Sequence, residues 1–196
     1  MRRSRIGPRR RSLPVSDSLT VRARQIVRVA RRLLESEGPK ALTMRRVADQ
    51  LNIRAPSLYK HFPDKEALEV AIIVDGFEEA AAKFEAAEAD TADPWATFAA
   101  TYRDFATSHP HVYRLMTERP LPREQLPAGL EARTAAPLLR ATGDPVRARA
   151  AWAFLHGLTM LELNGRLPFD DLTEPAWQIG IQQFRLTPHK SGDNGR

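Results

Sequence analysis

The sequence predicts an all-α protein with two parts, a three-helix amino-terminal domain and a larger helical carboxy-terminal domain. Apolar residues recur at the three- and four-residue spacing of helices, and Gly, Pro and Asn divide this pattern into segments of helical length. Charge separates the two parts, because residues 1–66 contain 17 Lys and Arg against 6 Asp and Glu, whereas residues 67–196 contain 13 against 18. Concentrated positive charge is typical of a phosphate-binding surface, so we expect the first part to meet nucleic acid.

The composition argues against several functional classes. No cysteine is present, which rules out disulfides, thiolate metal sites and cysteine nucleophiles and is consistent with the cytoplasm. No apolar run of about 18 residues could span a bilayer, and no secretory signal follows the first arginines. The 5 histidines are scattered, without a catalytic-triad order, a glycine-rich phosphate loop or a metal-spaced acidic cluster. We therefore expect a cytoplasmic protein that is not an enzyme, with no catalytic residues, metal, cofactor or membrane partner.

The chain begins with a basic, proline-containing segment. Residues 1–17 hardly contain an apolar side chain, so we expect a disordered arm, either a solvated tail or a segment that adds phosphate or minor-groove contacts. A helix follows from about residue 18 until Gly38-Pro39 ends it. Its apolar face contains Ile26, Val27, Ala30, Leu33 and Leu34. Its other face, either solvated or flanking a duplex, carries Arg22, Arg24, Arg28, Arg31 and Arg32.

Two short helices are predicted next. Thr43 can cap the first, Asn52 stands at a turn that needs positive φ, and Pro56 suits the first turn of the second. Leu58 and Phe62 would pack inward. The side chains that would face outward are Ser57, Tyr59, Lys60 and His61. Two short helices joined by a tight turn can place the second helix in the major groove of DNA.

Asp64 opens a long helix that extends to about residue 89. Its predicted apolar face contains Leu68, Ile72, Phe77, Ala80, Ala81 and Phe84. Lys65 is a cation in the first turn, where it opposes the helix dipole. A phosphate group bound at this terminus would explain the lysine, so Lys65 is a predicted phosphate contact.

The segment TMRRVADQLNIRAPSLYKHFPDKEAL, residues 43–68, resembles the DNA-binding domain of the TetR (tetracycline repressor) family, and the resemblance covers about residues 20–85. Its most specific part is the spacing of Leu58, Tyr59, His61, Phe62, Lys65 and Leu68. The resemblance implies contacts to the DNA backbone from Thr43, Tyr59, His61 and Lys65. It implies that the residues near bases are Arg54, Ala55, Ser57 and Lys60. Asn52 replaces the usual turn glycine, and Arg54 stands where a capping Ser or Thr is common, so Arg54 is a candidate for guanine readout or a phosphate clamp.

The remaining sequence predicts further helices separated by Pro and Gly. They begin at Asp93-Pro94, after His109-Pro110, near Leu130, at Gly143-Asp144-Pro145 and at Thr173. Pro137 should kink or split the stretch that begins near Leu130. The dense aromatic residues are individually core residues, and together they could line a cavity. The predicted ligand-binding residues are Trp95, Phe98, Tyr102, Phe105, Tyr113, Met116, Trp152, His156 and Met160.

The segment from Ala151 to Leu167 resembles the WHG-type regulatory domain of some TetR-like proteins, through Trp152, His156 and Gly157. This resemblance implies that the last two helices of each subunit form a four-helix dimer interface. Glycines inside helices cost about 1 kcal/mol each relative to alanine, which close helix approach would explain. The predicted dimerisation residues are Gly157, Leu161, Trp177, Gly180, Ile181 and Phe184. His156 either hydrogen-bonds a ligand or satisfies a buried carbonyl.

These inferences predict four segments: a basic arm over 1–17, a helix-turn-helix domain over 18–65, a regulatory domain over 66–186 and a flexible tail over 187–196. We predict a homodimer that binds a pseudo-palindromic double-stranded operator, represses transcription and is released by a small, largely apolar ligand. The alternatives are an activator, a regulator without a ligand, a non-specific DNA-binding protein and, with least support, a helical enzyme.

Overall fold

The computed structural model describes residues 19–89, 91–168 and 171–185, which form nine α-helices and no strand. The all-α prediction is therefore confirmed. The helices are α1 (Val21–Glu37), α2 (Met44–Gln50), α3 (Ala55–Tyr59), α4 (Lys65–Glu88), α5 (Pro94–Ser108), α6 (Pro110–Thr117), α7 (Leu130–Thr142), α8 (Pro145–Leu163) and α9 (Thr173–Phe184). None of the helices in these ranges is long and apolar enough to cross a membrane. The predicted arm over 1–17 and tail over 187–196 lie outside the described residues.

The chain divides into two compact units. The first comprises Met1–Asp75 and Arg119–Pro127, and the second comprises Gly76–Glu118 and Ala128–Arg196. Helix α4 begins in the first unit and ends in the second. Its first three turns belong to the first unit, where Leu68 and Ile72 are fully buried. The predicted boundary between a DNA-binding domain that ends at residue 65 and a regulatory domain that begins at residue 66 is a division by function, and it stays a prediction.

Capping and turn chemistry set the ends of the helices in the first unit. The Thr43 hydroxyl oxygen accepts the Arg46 backbone N–H at 3.2 Å, which caps α2. Gly38 follows α1 with a φ of 80°, and Asn52 has a φ of 54° between α2 and α3. Asn adopts this left-handed conformation more readily than most residues with a side chain, so the turn forms without glycine.

The core of the first unit lies between the apolar faces of α1, α2, α3 and the start of α4. Its fully buried members include Ile26, Ala30, Val47, Leu58, Phe62, Leu68 and Ile72. Because α2 and α3 are short, few of their side chains are buried: Leu58 is the buried residue of α3, and Phe62 follows it into the core. The opposite faces of both helices therefore remain exposed.

Two helices of the second unit, α5 and α8, begin with an Asp-Pro pair that fixes the first turn. Asp93 caps α5 by accepting the Ala96 N–H at 3.0 Å, and Asp144 caps α8 by accepting the Val146 and Arg147 N–H groups at 2.7 and 2.8 Å. The following prolines occupy the first helical position, where their missing N–H costs nothing.

Helix α7 is continuous through Pro137, so the predicted split is wrong, whereas the kink predicted as its alternative stays a prediction. Proline removes one backbone hydrogen bond, but Pro137 and Leu138 are buried, and such packing supplies most of the stability of a helix in a protein. Arg133 binds Glu85 of α4 at 2.6 Å, and Arg140 binds Glu88 one turn further along. Both halves of α7 are thus attached to the same neighbouring helix.

Candidate functional site

The exposed face of α3 and of the residues after it carries hydroxyl, phenol and ammonium groups. Leu58 is fully buried and Phe62 is 1% exposed, as predicted from their spacing. On the other side Ser57 and Lys60 are exposed and the Tyr59 ring is 50% exposed. His61 is half-buried, and Ala55 is half-buried at the first position of α3. This face can donate several hydrogen bonds to an anion such as a phosphate.

Two other residues predicted to contact a phosphate have partners inside the chain. The Thr43 oxygen caps α2, although the hydroxyl can still donate its own hydrogen. Lys65 lies 3.3 Å from the Glu69 carboxylate one turn further along α4. Asp64 caps the same helix by accepting the Ala67 N–H at 2.7 Å. These carboxylates offset the unfavourable position of the Lys65 charge without a bound phosphate, and the four-residue spacing of Lys65 and Glu69 was the sequence signal for this pair.

The cations of the first unit fall into a paired set and an unpaired set. Arg31 binds Asp75 at 2.6 Å, and Arg46 binds Glu37 at 2.7 Å. Among the described residues, the exposed cations without an ion pair are Arg24, Arg28, Arg32, Lys40, Arg45, Arg54 and Lys60. The first three follow each other every fourth residue along one side of α1, which keeps their charges on a single stripe. Positive charge that is not neutralised internally is available to an external anion.

A chain of three polar rings lies in the second unit, between α5, α6 and α8. The hydroxyl groups of Tyr102 and Tyr113 are 2.7 Å apart, and the Tyr113 hydroxyl lies 2.7 Å from Nδ1 of His156. Burial raises the pKa of the Tyr102 hydroxyl to about 12 and also raises the pKa of Tyr113. Burial lowers the pKa of His156, against a smaller opposing effect of the Glu118 charge. All three rings are therefore uncharged at neutral pH.

The remaining predicted ligand-binding residues do not all join these rings. Trp152 is 49% exposed, with its ring 6.0 Å from that of His156, and Met160 lies one turn beyond His156. The other members of the set are buried in apolar packing: Phe98 against Phe84, Phe105 against His109, and Met116 against Gly76. Trp95 lies two turns before Tyr102 and donates its indole N–H to the Ile181 carbonyl at 2.7 Å, so it attaches α9 to α5.

Two of the predicted dimerisation residues are used within the chain. Trp177 is 2% exposed, packs against Phe154, and has the Arg103 guanidinium 4.7 Å above its ring. A Cβ atom at Gly180 would lie 1.9 Å from Cζ of Phe154, so α8 and α9 approach closely at this glycine. The close approach predicted from Gly180 is therefore present, but between helices of one chain. The spacing of apolar residues predicts that a helix face is covered, but not whether another helix of the same chain or a second copy of the chain covers it.

The other residues of that set lie nearer the surface. Leu161 is 44% exposed, and a Cβ atom at Gly157 would have nothing within 4 Å. Ile181 and Phe184 are half-buried. Val146 on α8 and Ile179 on α9 are also exposed, and neither is among the predicted dimerisation residues. The spacing of Val146 from Ala153 and Gly157, seven and eleven residues, was the available signal, because it places them on one side of α8.

The comparisons with known proteins match both units of the chain. Residues 26–72 match the family model described as bacterial regulatory proteins, tetR family. Residues 95–184 match the model described as tetracyclin repressor-like, C-terminal domain. Both matches agree with the TetR resemblance of the sequence. The assignment of the second unit to the WHG type stays a prediction.

Relatives and solved structures agree with these matches. The HTH-type transcriptional regulator Rv0681 of Mycobacterium tuberculosis is 29% identical over 181 residues, which are 84% of this chain and 82% of that protein. The structure of the regulatory protein SCO4313 has a TM-score of 0.67 at 23% identity and covers 87% of this chain and 98% of that one. A TetR variant of Acinetobacter baumannii in complex with minocycline has a TM-score of 0.58 at 25% identity and covers 81% and 91%. With its helix-turn-helix unit and its helical second unit, the chain belongs to the TetR family of bacterial transcriptional regulators.

Proposed function

We propose that this regulator is a homodimeric repressor that binds a pseudo-palindromic operator through α2 and α3 and is released by a small molecule. Residues 18–65 would read DNA and residues 66–186 would dimerise and bind the ligand. The observation that carries the proposal is the exposed face of Ser57, Tyr59 and Lys60 opposite the buried Leu58 and Phe62. This arrangement supports α3 from behind and leaves its polar side chains free for DNA.

The DNA contacts we propose divide into two kinds. Polar groups at the start of α2, at the end of α3 and at the start of α4 would hold the backbone. They belong to Thr43, Tyr59, His61 and Lys65. The residues near base edges would be Arg54, Ala55, Ser57 and Lys60. The unpaired stripe of Arg24, Arg28 and Arg32 on α1 would add charge attraction to the duplex, which is independent of its sequence.

A second copy of the chain would cover one face of α8 and α9. On this face Val146, Leu161 and Ile179 are exposed, and Ala153 and Gly157 between them leave room for a close approach. Exposed apolar residues along a helix with small residues between them suit packing against another helix. Two copies related by a two-fold axis would present two copies of α3 to the two half-sites of an operator.

The ligand site we propose lies at Tyr102, Tyr113 and His156. The described part of the chain holds the hydroxyl of Thr159 fully buried and without a hydrogen-bond partner, one turn after His156 on α8. A buried unpartnered hydroxyl costs about 1–3 kcal/mol, which a polar atom of a ligand would recover. The uncharged rings and the neighbouring aromatic side chains suit a small, largely apolar molecule with a few hydrogen-bonding groups. The minocycline complex of the Acinetobacter baumannii TetR variant supports a small-molecule site in this fold.

Helix α4 would connect ligand binding to DNA binding. It is the one continuous helix that begins in the first unit and ends in the second among the described residues. Ligand binding would favour a dimer conformation in which the two copies of α3 are wrongly spaced for the operator. Only a ligand that binds this conformation more tightly than the DNA-bound one could release the protein.

Fluorescence anisotropy with the DNA upstream of the protein's own gene tests the DNA-binding half of the proposal. The comparison is scrambled DNA of equal length, at several salt concentrations. We expect a preference above about 10³-fold. Tyr59→Ala, which removes a proposed backbone contact, should weaken binding to both DNAs. Arg166→Ala is the matched control, because it removes an exposed cation from the second unit. Equal, salt-sensitive binding to both DNAs would leave a non-specific DNA-binding protein and contradict the proposal.

Sedimentation velocity tests the proposed dimer face. Leu161→Asp places a charge in this face and should give monomers at micromolar concentration. Leu139→Asp on α7 is the matched control, because Leu139 is 42% exposed against 44% for Leu161 but lies on another helix. Equal behaviour of the two variants would show that α8 does not contribute to self-association.

A further inference from the structure

Arg54 occupies the position immediately before α3, where its side chain has no part in the helix. Its backbone is extended, with φ −76° and ψ 139°, and its side chain makes no capping hydrogen bond. Ser, Thr, Asp and Asn are the usual residues here, because their side chains accept N–H groups of the first helical turn. An arginine at this position therefore has to be explained by something other than the helix itself.

The first turn of α3 does not need a capping side chain. A cap serves the N–H groups of the second and third helical residues, and the second residue is Pro56, which has no N–H. The third residue, Ser57, donates its N–H to the Arg54 carbonyl oxygen at 2.9 Å. No donor is left for a Ser or Thr hydroxyl, so replacing such a residue by Arg54 costs the helix little.

The Arg54 guanidinium is also free of other partners. It is exposed, and within the described ranges it forms no hydrogen bond or ion pair. No acidic residue occurs between Arg54 and Pro63, so nothing along α3 competes for its charge. Arg31 and Arg46, by contrast, are held by Asp75 and Glu37.

The other side chains at the start of α3 offer little for base recognition. Ala55 and Pro56 have no side-chain hydrogen-bonding groups, and Ser57 has one hydroxyl that fits several bases. Lys60 has a single ammonium group and lies after the last helical residue. Arg54 alone among them has a planar fork of N–H donors, which can reach two acceptors on one base edge.

We propose that Arg54 reads a guanine in each operator half-site, by donating two hydrogen bonds to guanine O6 and N7 in the major groove. This inference rests on the proposed function, because it requires α3 to enter the groove. The amino-terminal residues of a recognition helix meet base edges, whereas phosphates line the groove walls. Bidentate arginine contacts to guanine discriminate against the other bases by roughly 5-fold to 150-fold.

Binding-site selection from random duplexes with the full-length protein provides the first test. Wild type should select two half-sites with an invariant guanine at one position of each. Arg54→Ala should select the same site but accept any base at that position. Arg45→Ala is the matched control, because Arg45 is an exposed, unpaired cation on α2, and it should keep the guanine.

Anisotropy titrations with a modified base then identify the contacted atom. Replacing that guanine by 7-deazaguanine removes the N7 acceptor and should weaken binding of wild type about 10-fold, yet leave Arg54→Ala within about 2-fold. Arg54→Lys keeps the charge and can still donate to N7 but lacks the planar fork, so it should show an intermediate effect of 7-deazaguanine.

Three results would overturn this inference. If Arg54→Ala binds more weakly but keeps the guanine preference and loses about one unit of salt slope per site, then Arg54 holds a phosphate. If 7-deazaguanine weakens wild type and Arg54→Ala equally, then another residue contacts N7. If wild type selects no sequence at all, the proposed operator recognition fails together with the inference. In the first two results wild type still selects a sequence, so only the role of Arg54 fails.

Discussion

Replacing Gly180 by alanine places a methyl group where α9 approaches α8. A Cβ atom at this position lies 1.9 Å from Cζ of Phe154 and 2.3 Å from its two Cε atoms. Ordinary contacts between carbon atoms are about 3.5–4.0 Å, so the phenyl ring has to move. That ring packs against Trp177 and Phe184, with centroid distances of 5.8 and 6.1 Å. Moving it therefore disturbs two further aromatic contacts.

Two opposing effects decide the size of the change. Alanine is favoured over glycine inside a helix by about 1 kcal/mol. Overpacking costs roughly 1–3 kcal/mol, and each disturbed aromatic pair contributes about 0.5–1.5 kcal/mol. We expect a net loss of about 2 kcal/mol in the free energy of unfolding, which lowers Tm by roughly 4–8 °C for a chain of this length.

Differential scanning calorimetry at fixed protein concentration measures this loss. The control is Gly180→Ala in a Phe154→Leu background, where the smaller side chain leaves room for the methyl group. Gly180→Ala should cost less in that background than in wild type, which a double-mutant cycle quantifies. If Gly180→Ala alone melts at or above the wild-type temperature, then α8 and α9 are not in close contact at this position and the packing argument is refuted.

Three further predictions concern the second unit. Gly157→Ala should raise the free energy of unfolding by about 0.5–1 kcal/mol, because a Cβ atom at this position meets nothing within 4 Å. Urea denaturation in the monomeric Leu161→Asp background measures this gain, and unchanged stability in that background would contradict the prediction. Burial lowers the pKa of His156 below its usual 6.5, so stability is complete above about pH 6.5 and falls as the pH drops and the unfolded chain takes up the proton. In His156→Gln the urea midpoint of unfolding should vary less between pH 7 and about 5.5 than it does in wild type. Arginine partners lower the pKa values of Glu85, Glu88 and Glu174, so these groups change the stability only below about pH 4.5. Arg103→Lys should cost about 1 kcal/mol in thermal melting, because lysine cannot keep the paired hydrogen bonds to Glu162 and the contact with Trp177, and Arg119→Lys at an exposed ion pair should cost less.

The ends of the helices could be read from the sequence because local chemistry sets them. Gly38, Asn52, Asp64 and Asp144 all stand at the turns or caps where their types predicted them. The burial of Leu58 and Phe62 followed from the spacing of apolar residues in the same way. Each of these features depends on a few neighbouring residues, so no knowledge of the tertiary structure was needed.

Features that depend on distant residues were harder to predict. Trp177 and Gly180 look equally suited to a second copy or to α8 of the same chain, and the structure places them against Phe154. Pro137 reads as a helix breaker until the packing that buries it within α7 is known. The hydrogen-bonded chain of the Tyr102 hydroxyl, the Tyr113 hydroxyl and the His156 ring nitrogen likewise joins three helices whose proximity could not be predicted from the sequence.

The discontinuous first unit has a practical consequence for chimaeric regulators built by exchanging DNA-reading parts between relatives. A junction after residue 65 would separate Leu68 and Ile72 from the core that they complete. A junction at Asp75–Gly76 keeps that core, but it leaves behind Arg119–Pro127, which belongs to the same unit and includes the Arg119 partner of Glu69. A transplant that preserves the native packing therefore has to carry two separate pieces of sequence.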